Sequence, residues 1–202
     1  SSARERFEAA YDAMLRVWTE PQSGANRATA PTLQQPHPPL YVAGSTRETL
    51  GFAAQRGLPL LLSLEPPELR QLSVYAEVLA ETGAASALGR SSLCRYVCIG
   101  RDMTSARAAV DDFLSKRQVA RDASALARGV VAVPLDRDKV LAEQVVWGDP
   151  EQCAAQIAAL RQTRGAGELR CVFNGNGVLD NDAALASMRL FAETVLPEVR
   201  EV

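Results

Sequence analysis

Apolar residues recur at helical spacing over residues 3–19: Phe7, Ala10, Met14 and Trp18, with Tyr11 and Leu15 beside them. That spacing predicts an amphipathic helix with one buried stripe. The pattern stops in "TEPQSGANRATAPTLQQPHPP", whose proline, glycine and glutamine predict a loop. Beyond it, short apolar runs alternate with longer periodic ones. "LYVAG", "LPLLLSL" and "LCRYVCIG" read as strands, and "KVLAEQVVWG" and "ELRCVFNGNG" each contain one. "LPLLLSL" is apolar at successive positions, as in a parallel strand buried on both faces.

The helices between them carry their own punctuation. "TRETLGFAAQRG" ends on Gly57, a suitable C-terminal residue. "PPELRQLSVYAEVLAETG" is opened by proline and closed by glycine. "DMTSARAAVDDFLSKRQVARDASALARG" is expected to be helical with a break near its middle. In "DPEQCAAQIAALRQTRG", Asp149 suits the N-cap, Pro150 the first turn and Gln152 the reciprocal cap. The last helix, "DNDAALASMRLFAETVLPEVREV", is expected to be capped by Asp180 or Asn181 and to bury Leu185, Met188, Phe191 and Val195. One helix followed by about four strand–helix units predicts a parallel α/β fold with right-handed crossovers, in a single domain over residues 1–202. A (β/α)8 barrel takes eight units and about 250 residues. Periodicity leaves open an α/β sheet complete in itself and one half of a barrel.

Composition narrows the partners. The net charge of −2 argues against nucleic acid, which requires a basic surface. No apolar run reaches the ~18 residues of a membrane span, so no membrane partner is expected. The charged opening has no signal-peptide core. The four cysteines, Cys94, Cys98, Cys153 and Cys171, are dispersed, and His37 is the one histidine. That set is too thin for a zinc site, so no metal is expected. Reduced thiols and a cytoplasmic setting are the expectation.

The chemistry-bearing feature is "VAGST", where a strand passes into a helix. Gly44 allows close backbone approach. Ser45, Thr46 and Thr49 lie in or just before the first helical turn, where free N–H groups and the helix dipole favour an anion. Arg47 adds a charge. The same residues also suit a plain helix cap. From the residues both readings stand, because neither GxxxxGK[ST] nor GxGxxG is present. His37, held between Pro36 and Pro38, is expected to be structural. Trp147 is expected to pack at a strand end. Asn174 and Asn176 suit a turn. Cys171 and Phe173 alternate with Val172, so the two sets face opposite sides of a strand, one of them the barrel interior or its remnant.

"PPLYVAGSTRETLGFAAQRGLPLLLS" resembles the middle of bacterial luciferase alpha subunits and the wider luciferase-like FMN monooxygenases. "VVWGDPEQCAAQIAALRQTRGAGELRCVFNGNGVLDNDAALASMRLFAETVLPEV" is similar to their end. The opening "SARERFEAAYDAMLRVWTE" resembles the helix before their fifth strand. The resemblance covers nearly the whole chain in order and weakens over 101–140. It implies the C-terminal half of a (β/α)8 barrel, about strands five to eight. It also implies an enzyme in which reduced FMN, supplied by a separate flavin reductase, reacts with oxygen to oxidise a small organic substrate. The FMN phosphate would sit on the loop after the first strand here, with Ser45 and Thr49 matching the family's serine and threonine. Gly44, Ser45, Thr46 and Thr49 are then the cofactor-binding candidates. Gly44 stands where the family has glutamate, which removes a repulsion from the phosphate.

The resemblance also implies what lies elsewhere. The catalytic histidine, the reactive cysteine and a phosphate-gripping arginine belong to the half that matches nothing in this chain. None of the cysteines here aligns with the reactive one, and His37 is not at the catalytic histidine's place. Catalytic residues are therefore not assigned, and the isolated chain is expected to be inactive. The loop before "PHPP" is shorter than in the family. The lid segment would fall within 115–145, where Lys116, Arg117 and Arg121 are expected on a solvated helix face. A partner is expected: the N-terminal half, or a second copy. The alternative reading is a non-catalytic flavin- or phosphate-binding half-barrel that dimerises. An unrelated small α/β phosphate-binding protein is the third.

Overall fold

The computed structural model describes residues 2–19, 32–65, 68–177 and 179–200, apart from the side chain of Asn176. Most of the expected loop before "PHPP" lies outside the described residues, and so does the Asn176 side chain. The chain divides into two compact units, Ser1–Leu40 and Tyr41–Val202.

The first unit holds helix α1, Ala3–Thr19. It forms where the periodicity placed it, and Arg4 pairs with Glu8 one turn on. The expected buried stripe is not fully buried: none of its residues is buried, and Phe7 is 48% exposed. Trp18 and His37 stack, with ring centroids 6.1 Å apart at 29°. His37 Nδ1 donates to Pro38 O at 2.7 Å. His37 is thus engaged as a loop residue.

The second unit is a parallel five-stranded sheet with helices on both faces. Its elements are β1 (Val42–Ala43), α2 (Arg47–Gln55), β2 (Leu60–Leu61), α3 (Leu69–Thr82), β3 (Ser92–Ile99), α4 (Met103–Ala127), α5 (Arg137–Gln144), β4 (Val145–Gly148), α6 (Pro150–Arg164), β5 (Glu168–Val172), α7 (Asn181–Thr194) and α8 (Leu196–Arg200). All strand pairs are parallel. Strand β3 organises the sheet. Ser92 lies opposite both Leu61 and Glu168, and Tyr96 opposite both Val145 and Val172. Strand β5 therefore occupies one edge of β3, while β2 and β4 follow one another along the other. The outer edges of β1 and β5 carry no ladder among the described residues.

Every residue of β3 is buried, because helices cover both its faces. On one face Tyr96 and Cys98 pack with Val110, Phe113 and Leu114 of α4, Val140 of α5 and Val145 of β4. On the other, Val97 and Ile99 pack with Cys153 and Ile157 of α6, Phe191 of α7 and Val195. Each such side chain contributes about 1.5–3 kcal/mol by leaving water.

Several caps are those the sequence signalled, but the reciprocal bond expected from Gln152 is not formed among the described residues, and the prolines expected to open α3 lie outside them. Asp149 accepts from Gln152 N, with Pro150 in the first turn, and Gly83 ends α3 in the left-handed region at φ 65°. Asp180, rather than Asn181, caps α7.

Three expectations are corrected. Helix α4 runs unbroken for 25 residues. Asp102 and Ser105 form a reciprocal capping box at its start, and no glycine or proline interrupts it. Leu185 and Met188 are 46% and 48% exposed, so only Phe191 and Val195 of the expected stripe are core. Arg117 is buried instead of solvated.

Candidate functional site

The turn Gly44–Thr46 leaves the carboxyl end of β1 and starts α2. A Cβ at Gly44, where φ is 158°, would come within 2.6 Å of Thr49 Cγ2, so the close approach of Thr49 requires glycine. Thr46 is the N-cap: its hydroxyl accepts from Thr49 N at 3.3 Å. The same hydroxyl donates to Thr49 Oγ1 at 3.1 Å. The Thr49 hydroxyl proton has no acceptor among the described residues. The Ser45 hydroxyl and the N–H groups of Ser45, Thr46 and Arg47 have no partner among the described residues. Arg47 does not add charge to this turn. Its guanidinium is held on α3 by Glu77 at 3.0 Å and by Glu81.

Gln71 of α3 fixes the turn from behind. It is 4% exposed. Its amide donates to Gly44 O and its carbonyl accepts from Ser63 N, both at 2.5 Å. One side chain thus ties together the ends of β1 and β2. The cap reading and the anion reading are compatible: Thr46 caps, while Ser45, Thr49 and three N–H groups remain to hold an anion.

The face of β3 that carries Tyr96 bears three polar cross-links, ordered from the amino to the carboxyl end of the strands. Tyr41 Oη donates to Glu168 Oε1 at 2.9 Å, and this hydrogen bond raises the phenol's pKa. Arg170 donates from Nε to Ser92 Oγ at 3.1 Å and from Nη2 to Leu62 O at 2.9 Å. Tyr96 Oη donates to Glu65 at 2.6 Å, and Glu65 also pairs with Arg117. Burial, then the bond to Glu65, pushes the Tyr96 phenol well up. The Arg117 guanidinium lies 4.9 Å from the Tyr96 ring centroid and donates to Gln144 at 2.9 Å. Its Nη1 is buried without a partner among the described residues.

On the opposite face, Arg95 and Glu68 form a buried pair at 2.6 Å, joined by Arg164 at 2.9 Å. Burial raises the Glu68 carboxyl, but bonds from Arg95, the backbone and Arg164 outweigh it and hold the pKa below its ordinary value. Arg170 differs from these arginines: no carboxylate meets it among the described residues. Nothing in the residue pattern distinguished it. The only available signal was its place in a strand, opposite Cys94 in the ladder.

The remaining candidates are accounted for locally. Lys116 pairs with Asp112. Arg121 is exposed. Trp147 lies under the Arg107 guanidinium at 4.8 Å, and Gln156 bonds both its N and its O. Asn174 closes a turn by bonding Leu179 N and O. Cys171 and Phe173 pack on the α6–α7 face and Val172 on the other, as the alternation required. Burial raises all four thiols, Cys98 and Cys153 to about 12 and Cys171 to about 11. No group of three or more metal-ligating side chains occurs among the described residues. No described helix is long and apolar enough to cross a membrane.

Comparison with known proteins gives the relationship. The model of the luciferase-like monooxygenase family matches residues 1–167. The monooxygenase RslO1 from Streptomyces bottropensis superposes with a TM-score of 0.67 at 25% identity, over 96% of this chain and 61% of that one. The oxygenating constituent of 3,6-diketocamphane monooxygenase from Pseudomonas putida, solved in complex with FMN, gives 0.60 at 16% identity, over 98% and 64%. The coenzyme F420-dependent tetrahydromethanopterin reductase from Methanopyrus kandleri gives 0.57 at 14% identity, over 96% and 63%. Among curated sequences, a protein named glutamate 5-kinase from Nocardia farcinica is 33% identical over 147 residues, 70% of this chain and 36% of that protein. The chain thus spans about six tenths of its structural relatives and about a third of that curated relative. The family match runs from α1 through α6, and the fold is the parallel α/β architecture of the luciferase-like barrels, so this chain belongs to the luciferase-like monooxygenase family.

Proposed function

We propose that this chain is the flavin-phosphate-binding half of a luciferase-like monooxygenase. The observation that carries the reading is the β1–α2 turn, with a Ser45 hydroxyl, a Thr49 hydroxyl proton and three backbone N–H groups unspent beside Gly44. These groups would hold the FMN phosphate, with the α2 dipole adding to the attraction. Reduced FMN, delivered by a separate reductase, would supply the electrons that activate oxygen for attack on a small organic substrate. The chain's own part is to bind and orient. Gln71 keeps the turn in register with the sheet, and Thr46 keeps the helix start in place. No catalytic residue is assigned to this chain.

The unpaired outer edges of β1 and β5 support a partner in assembly, either the N-terminal half of the barrel or a second copy of this chain. The second-copy version is the non-catalytic alternative, a half-barrel dimer that binds flavin. Titration with FMN and riboflavin side by side, with mass measured in solution, tests both readings. FMN binding at least ten times tighter than riboflavin supports the phosphate role, since a charged group's hydrogen bonds contribute about 1.5–3 kcal/mol each. Equal affinities overturn it. Coenzyme F420 binding in place of FMN would move the chain to the F420-dependent branch. A monomer at all concentrations would remove the homodimer version.

A further inference from the structure

We infer a second ligand site at the opposite end of the sheet, built to take an aliphatic carboxylate. A cavity of about 300 Å³ lies between α6, β5 and the α7–α8 segment. It opens beside Leu93 and Leu169, near the amino ends of β3 and β5. The Gly44 turn follows the carboxyl end of β1, and the strands are parallel, so the two places lie at opposite ends of the sheet. The cavity is also on the Val97 face, away from the cross-links of Tyr96 and Arg170.

Its wall is apolar: Leu160 of α6, Leu169 of β5, Phe191 of α7 and Leu196 of α8 line it. The volume is at the small end of the range of ligand pockets and suits a chain of roughly ten carbons. Three charged residues complete the lining, Arg161, Glu168 and Arg200. Glu168 joins the lining at the start of β5, but its side chain turns to the Ser92 and Tyr96 face, where Oε1 accepts from Tyr41 Oη at 2.9 Å. Arg161 donates only to Val199 O, at 3.3 Å, and Arg200 has no partner among the described residues. Among the described residues, the rim therefore presents two guanidinium groups that no carboxylate pairs, over an apolar interior. A carboxylate bonded by arginine gains a charge-assisted hydrogen bond, and a neutral or cationic head group of the same chain length does not. That asymmetry commits the site to an anionic amphiphile.

The test is calorimetric titration of the intact chain with decanoate, decanol and decyltrimethylammonium. Decanoate is expected to bind about ten times more tightly than decanol, and the cation not measurably. Arg161→Gln with Arg200→Gln is expected to erase the difference between decanoate and decanol. Ala166→Trp is expected to abolish both by filling the cavity. Melting curves separate loss of binding from loss of fold, and the arginine pair, being exposed, should melt as the parent does. Absence of decanoate binding to the parent chain overturns the site. So does binding that persists in Ala166→Trp, or binding with no preference for the anion. FMN affinity should be the same in the arginine variants as in the parent, so failure here and failure of the flavin reading are told apart.

Discussion

Glu68 shows at a single residue how charge is tolerated inside this sheet. Its carboxylate and Arg95 are both buried, and two arginines satisfy one carboxylate. Glu68→Gln would leave Arg95 without a counter-charge and should cost about 3 kcal/mol by denaturant unfolding at neutral pH. The pH dependence follows from the lowered pKa. Stability from Glu68 is fully present above the ordinary carboxyl value near 4.5 and is lost as pH falls through the lower folded value. The melting difference between the parent and Glu68→Gln should therefore shrink only under acid conditions. The cysteines give a second residue-level expectation. With Cys94, Cys98 and Cys153 buried, Cys171 half-buried and all four thiol pKa values raised by burial, the folded chain should resist iodoacetamide at pH 8, and all four should react once it is unfolded. Rapid labelling of Cys98 or Cys153 in the native state would contradict that burial.

At the scale of elements, side-chain amides do work that backbone ladders leave undone. Gln71 joins the ends of β1 and β2, and Gln156 bonds both backbone groups of Trp147 in β4. Gln71→Leu should destabilise the fold by about 2 kcal/mol, because Ser63 N and Gly44 O lose their partner. It should also weaken FMN binding by loosening the turn. Unchanged FMN affinity with lowered stability would separate the turn from the cofactor.

The sequence announced caps and strands better than burial. Asp149 with Pro150, and Asp180, act through local hydrogen bonds that short patterns encode. Helix α4 runs through the break expected near its middle, because a stretch without glycine or proline continues from a capped start. Arg117 was read as solvated because single-residue polarity does not register Glu65, 52 residues away in sequence, which neutralises it, or the Tyr96 ring, which stacks on it. Met188 shares a helical stripe with Phe191, but only the C-terminal part of that stripe, Phe191 and Val195, is buried, and Leu185 and Met188 are exposed.

At the scale of the molecule, the larger unit is a parallel sheet in which β1, β4 and β5 each keep a bare edge among the described residues. The chain spans about six tenths of RslO1 and of the diketocamphane monooxygenase constituent. Collinear motifs carried the family relationship at this scale, because strand–turn–helix punctuation survives where overall identity is low. The glycine turn was legible as a candidate for the same reason. Arg170 and the Arg161–Arg200 rim were not, since each acquires meaning only when distant elements are brought together. The central claim is that the turn after β1 holds a flavin phosphate. The FMN dissociation constant of the parent chain, set against that of Ser45→Ala with Thr49→Ala, tests it most directly. Loss of two hydroxyl contacts to a charged group should weaken binding by at least about a hundredfold while riboflavin affinity stays unchanged. FMN binding that is absent in the parent chain, or equal in the variant, would contradict it and leave Thr46 and its neighbours as a helix cap alone.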